Sequence, residues 1–166
     1  MTVRKTALMA GIRPVRYAGA MKIKDVMTSQ ARFVWPDTTL VAAARLMRDI
    51  DVGALPVCEN DKLSGIITDR DITLRAIAES MDPVETEVRD VMSREVAYVS
   101  EDQEIEEATR LMEVRQIRRL PVLDHNHHLV GMVSLGDLAG GADNYMSGHM
   151  LKEISAPTHP AFAERH

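Results

Sequence analysis

The stretch LPVCENDKLSGIITDRD, residues 55–71, returns as LPVLDHNHHLVGMVSLGD, residues 120–137. Its opening tripeptide recurs 65 residues later. Its closing part, Gly65-Ile66-Ile67-Thr68-Asp69-Arg70-Asp71 against Gly131-Met132-Val133-Ser134-Leu135-Gly136-Asp137, recurs at 66. One residue has been inserted between these blocks, and insertions between repeats belong in loops, so a turn separates them. Further out the register holds. Asp25-Val26-Met27-Thr28 matches Asp90-Val91-Met92-Ser93, Arg45-Leu46-Met47 matches Arg110-Leu111-Met112, and residues 25–57 and 90–122 agree at 12 of 33 positions. Four separate clusters in one register are more than chance. Two copies are too few for a solenoid, which needs at least three stacked units, so the repeat predicts one domain with approximate internal twofold symmetry and a cleft between its halves.

Composition narrows the function classes. A chain of 166 residues is one domain's worth and long enough to bury most of its apolar surface without staples. The single cysteine, Cys58, rules out an internal disulfide framework, fits a reducing compartment and reads as a half-buried hydrophobe at a strand end; a cytoplasmic location is expected. A net charge of -5 argues against a general phosphate-backbone binder, which leaves a nucleic-acid module using the basic N-terminal segment as the weakest alternative. That segment carries Arg4, Lys5, Arg13, Arg16, Lys22 and Lys24 with no acid among its first 24 residues. Its apolar run, Ala7 to Ile12, is far shorter than the roughly 20 residues a membrane span needs. Residues 1–20 are therefore expected to be a flexible extension, and Met21 is an alternative translation start.

Each repeat has a readable element order. In the second, Glu95 to Val99 reads as a strand, and Ser100-Glu101-Asp102-Gln103 has the capping-box pattern that opens a helix. Ile105, Ala108 and Met112, with Leu111 beside them, form its apolar stripe, while Glu106, Glu107 and Arg110 fall toward water. Leu40, Ala43, Ala44 and Met47 give the same stripe in the first copy. Leu55 to Cys58 and Leu63 to Ile67 read as a hairpin around Glu59-Asn60-Asp61-Lys62, and Leu120 to Leu123 and Leu129 to Val133 as another around Asp124 to His128. A second helix starts near Asp69 and runs through Ile72, Ala76 and Ile77. The order per repeat is β-α-β-β-α.

This order, with a D-V-M lead-in, an R-L-P-V strand (Arg119 to Val122) and a G-h-h-T/S-x-x-D turn (h, apolar) into the last helix, resembles the cystathionine β-synthase (CBS) domain, whose tandem pairs are called Bateman modules. The resemblance covers residues 21 to about 140. It implies an α/β (α+β) fold of two β-α-β-β-α repeats packed as a pseudo-twofold module, with CBS domain 1 at 21–82 and CBS domain 2 at 83–141, and a homodimer. It also implies clefts for adenosine-containing ligands, and regulation of some other protein rather than chemistry. Candidate ligands are AMP, ADP, ATP, NAD(H) and S-adenosylmethionine. No cofactor is required.

The turn can be weighed physically. A ribose needs a bidentate acceptor for its two hydroxyls, which Asp71 and Asp137 can supply. Thr68 and Ser134 stand where a strand becomes a helix, so their hydroxyls and the free helix-start N–H groups can meet a phosphate. The same T/S-x-x-D spacing also fits a capping box, in which the acid satisfies the cap residue. These roles are compatible, because a capped helix start holds its acid in a fixed direction. The copies differ in charge. Arg70 stands in the first where Gly136 stands in the second, and Arg118-Arg119 stand in the second where Gly53-Ala54 stand in the first. In related modules basic residues before that strand face ligand phosphates, and each charged hydrogen bond contributes roughly 1.5 to 3 kcal/mol. Strand alternation turns at least one of Arg118 and Arg119 outward, so one phosphate ligand is expected, the choice staying open. The adenine slot implied by the family falls at Phe33-Val34-Trp35-Pro36 and Tyr98-Val99-Ser100, with Ala54 and Arg119.

Other constellations carry less. His125, His127 and His128 read as an exposed polar loop rather than metal ligands, and the acids from Glu101 to Glu107 as dipole-favoured residues of a helix's first turns. No nucleophile elbow, Walker loop or H-E-x-x-H is present. Residues 142–166 are expected as a tail, with a short helix from Met146 to Ile154 and loose residues from 157. The functional expectation is a regulatory nucleotide sensor acting on an unknown partner; the alternative is a ligand-free interaction module.

Overall fold

The computed structural model describes residues 21–140. A 3₁₀ turn, Ile23–Asp25, leads into β1 (Thr28–Ser29), α1 (Leu40–Asp49), β2 (Ala54–Glu59), β3 (Lys62–Thr68) and α2 (Asp69–Asp71), which continues as a π-helical stretch, Ile72–Ile77. Then follow α3 (Val88–Val91), β4 (Val99–Ser100), α4 (Ile105–Arg115), β5 (Arg119–Leu123), β6 (Leu129–Ser134) and α5 (Leu135–Gly140). The expected tail helix at 146–154 and the extension at 1–20 lie outside the described residues.

Both hairpins form where the apolar runs place them, and both bulge at the same point, between Val57 and Cys58 and between Val122 and Leu123. In the first turn Asn60 and Asp61 both have positive φ (50° and 62°), which a two-residue primed turn demands and which Asn and Asp tolerate. The second turn carries the inserted residue. There the Asp124 carboxylate accepts from the Asn126 and His128 N–H groups, both at 2.8 Å.

The lead-in segments are exchanged between the copies. β1, from the first copy, pairs antiparallel with β6 of the second (Thr28 with Met132, Ser29 with Gly131), and Ser93 pairs with Ile66 in the reciprocal arrangement. Ile23 N–H donates to Gln103 O and Val88 N–H to Thr38 O; Lys24 to Glu101 and Arg89 to Pro36 repeat the pattern. The cores follow the same exchange. Ile23 is buried with Val99, Ile105, Met112, Leu120, Val133 and Leu138, whereas Val88, Val91 and Met92 are buried with Leu40, Met47, Leu55 and Ile67. Lys24 Nζ donates to Asp102 at 2.9 Å, which holds the Asp102 carboxyl below its ordinary range; on an exposed surface such a pair contributes little.

Several details depart from the sequence pattern. The strand expected at Glu95 to Val99 is confined to Val99–Ser100, because only Val99 and Ser100 find partners, on β5. Gln103 Oε1 does accept from Ser100 N–H at 2.7 Å, yet the helix begins only at Ile105, with Glu104 as its cap, since residues 101–104 are occupied with the exchanged lead-in. Ala44 is exposed, not on the α1 stripe, and Glu106 is half-buried, not solvated. In the helix after β3 only Ala76 is fully buried, and Ile77 is 53% exposed. Cys58 is fully buried rather than half-buried.

An added Cβ at Gly131 would lie 2.7 Å from Thr28 O and 2.8 Å from Met27 Sδ; at Gly65 it would lie 2.7 Å from Met92 Sδ and 2.9 Å from Ser93 O. Gly131→Ala is therefore expected to lower the unfolding free energy by about 1–3 kcal/mol, seen as a lower urea midpoint with unchanged slope. Burial, followed by the nearby Asp61, pushes the Cys58 thiol up to about 11. In the native protein at pH 8, Cys58 should react with a thiol reagent far more slowly than in the urea-unfolded chain.

Candidate functional site

The two G-h-h-T/S-x-x-D turns fold as reciprocal capping boxes. Asp71 Oδ2 accepts from the Thr68 N–H (3.0 Å) and the Thr68 hydroxyl (2.7 Å), while the Asp71 N–H donates to Thr68 Oγ1 at 3.0 Å. The second copy repeats this, Asp137 Oδ2 accepting from the Ser134 N–H and hydroxyl at 2.7 Å each. Each acid therefore spends one oxygen on its cap and is held with the other in a set direction. In the first copy that other oxygen, Oδ1, lies 3.5 Å from Arg75 Nε, and the Asp71 side chain is 15% exposed.

Thr68, Arg70 and Asp71 line a cavity of about 840 Å³ together with Arg118 and Arg119. This volume lies within the roughly 300–1,000 Å³ of small-molecule sites. Both arginines reach the cavity. The alternation expectation fails because Arg118 precedes β5, which begins at Arg119, so the two do not alternate across a strand. The Arg118 carbonyl accepts the Leu135 N–H at 2.9 Å, and the Gly53 carbonyl accepts the Asp69 N–H in the same way at 3.1 Å, so each pre-strand residue is tied to the start of its own copy's last helix. Ser134 and Asp137 keep the capped geometry but do not line this cavity.

Further lining residues were not foreseen: Gly53, Ile66, Ser93, Arg115 and Gln116 among them. Arg115 ends α4 and Gln116 takes a left-handed conformation (φ 52°), turning the chain toward Arg118. Ser93 belongs to the exchanged segment, so only the exchange brings it here. Both copies contribute charge to the lining, Asp69, Arg70 and Asp71 from the first and Glu95, Arg115, Arg118 and Arg119 from the second. Of the adenine-slot residues, Ala54 and Arg119 line the cavity. Phe33, Val34 and Tyr98 do not, and Trp35 lines a separate groove with Asp61 and Arg89.

The sequence profile of the CBS domain matches residues 23–77 and 88–141. The chain belongs to the CBS domain family. CBS domain-containing protein YhcV of Bacillus subtilis is 46% identical over 134 residues, covering 80% of this chain and 94% of YhcV. Hypoxic response protein 1 of Mycobacterium tuberculosis is 36% identical over 135 residues. A crystal structure of Hypoxic Response Protein I with two coordinated zinc ions has a TM-score of 0.67 to this CBS pair, with 37% identity over 72% of this chain and 98% of that one. The crystal structure of CBSX2 in complex with AMP has a TM-score of 0.62 and 26% identity, covering 72% and 93%. Among the described residues of this chain, no three His, Cys, Asp or Glu side chains gather as a metal site, and no helix is long and apolar enough to cross a membrane.

Because each acid closes a capping box from the third helical position, Asp71→Ala and Asp137→Ala should each destabilise the ligand-free CBS pair by about 0.5–2 kcal/mol, while Asp71→Asn, which keeps an acceptor, should cost less; chemical denaturation checks both.

Proposed function

We propose that this CBS pair is a regulatory module that binds a phosphorylated adenosine ligand, AMP, ADP or ATP, in the cavity between its repeats and performs no chemistry itself. The observation that carries the reading is the convergence of Thr68, Arg70 and Asp71 from the first copy with Arg118 and Arg119 from the second on one cavity. In this arrangement the outward oxygen of Asp71 takes the ribose hydroxyls and the arginines take phosphate oxygens, through charge-assisted bonds that a neutral group would not form. NAD(H) remains compatible with the arginine wall, whereas cationic S-adenosylmethionine suits it less. Ser134 and Asp137 mark a second, weaker site. CBSX2, whose structure contains AMP, supports the ligand class.

The regulatory step is a shift between two relative arrangements of the repeats, limited in size by the ligand's differential affinity for them. A cytoplasmic homodimer acting on a separate protein completes the proposal.

Thermal unfolding against AMP, ADP, ATP, NAD(H) and S-adenosylmethionine tests it. A ligand at 100 times its Kd should add about 2.7 kcal/mol, a rise of several degrees. Arg118→Ala with Arg119→Ala should remove most of the shift for phosphorylated ligands, and Asp71→Asn should reduce it. No shift with any ligand would favour an interaction module with empty clefts.

A further inference from the structure

Arg75 joins the cavity to the exchanged segment. Its Nη1 donates to the Val91 carbonyl at 2.8 Å and lies 3.2 Å from Ser93 Oγ, while its Nε lies 3.5 Å from Asp71 Oδ1. Ser93 itself lines the cavity and is paired with Ile66, another lining residue, through two backbone bonds of 2.9 Å. One guanidinium therefore spans the carboxylate at the mouth of the site and the segment through which the two cores interlock. A planar fork of donors suits this bridging, which an ammonium cannot reproduce. At the 66-residue offset the position corresponding to Arg75 is Gly141, which has no side chain to offer such a link.

We propose that Arg75 is a positioning residue that couples occupancy of the cavity to the packing of the exchanged segment at Val91–Ser93. The proposal rests on the adenosine-phosphate reading of the cavity. Asp71 Oδ2 is committed to the cap, and Oδ1 has lone pairs for both Arg75 and a ligand hydroxyl. A ribose held at Oδ1 immobilises the carboxylate. The carboxylate then fixes Arg75, and Arg75 fixes the Val91 carbonyl and Ser93. Linkage makes the effect reciprocal, so loosening that contact weakens ligand binding by the same factor.

Amide hydrogen exchange at Met92 and Ser93, with and without saturating AMP or ATP, tests the coupling alongside calorimetric affinity. In the wild-type chain the nucleotide should slow exchange of these amides about tenfold. In Arg75→Ala the slowing should vanish while affinity falls about tenfold, and Arg75→Lys, which keeps the charge without the span, should show the same loss. A purely structural Arg75 would raise exchange equally in free and bound protein and leave the difference intact, which overturns the proposal, as does wild-type behaviour of Arg75→Lys. If the wild-type chain binds neither nucleotide, the reading of the cavity fails and the coupling with it. If it binds but the variants keep the full slowing, only the coupling fails.

Discussion

The structure depends on a close crossing of backbones. At Gly65 and Gly131 the exchanged segments lie so near the sheet that a single added carbon would meet Ser93 O or Thr28 O at 2.9 or 2.7 Å. Neither glycine is required for its backbone angles; each is required for lack of a side chain. Because the segments cross at van der Waals distance, Ile23 and Val88 can reach the opposite cores and be fully buried there. Each repeat thus lends the other part of its apolar core. Neither half is an independent hydrophobic unit, and the cleft between them is held in shape by buried contacts rather than by a linker.

The same exchange builds the candidate site. A cavity formed by one repeat would carry only the polar groups of one turn. Here the turn Thr68–Asp71, the foot of β5 from the other repeat and the exchanged Ser93 all line one cavity. The charged lining follows from this origin, two acids and one arginine coming from the first copy and one acid and three arginines from the second. The capped helix start contributes stability and orientation together: two donors on Oδ2 of Asp71 leave Oδ1 aimed away from the cap. Pseudo-symmetry applies to the backbone and the caps, while the charged residues around them have diverged.

Much of the fold was legible because its signals are local. Apolar runs on either side of a polar turn placed both hairpins, the 65-to-66 offset placed the longer turn at Asp124 to His128, and the T/S-x-x-D spacing anticipated both capping boxes. The failures are equally specific. Ser100 and Gln103 carry a helix-start pattern, yet the helix waits until Ile105, because the chain between them bonds to the incoming lead-in. Glu95 to Val99 has strand-like composition but mostly lacks a partner to pair with. Strand alternation predicts opposite faces for Arg118 and Arg119, but Arg118 precedes β5.

What the sequence by itself determined is the repeat, the element order, the capped turns and the residue types able to meet a nucleotide, all of which depend on neighbours within a few positions or on direct comparison of the copies. Only the tertiary structure decided which copy each lead-in joins, that Arg118 and Arg119 line one cavity with Thr68, Asp71 and Ser93, and that Arg75 touches both Asp71 and Ser93. The physical reason is that pairing between sheets and burial between cores are settled by shape and distance across the whole domain. Identical D-V-M segments carry no local mark of whether they fold onto their own repeat or onto its twin.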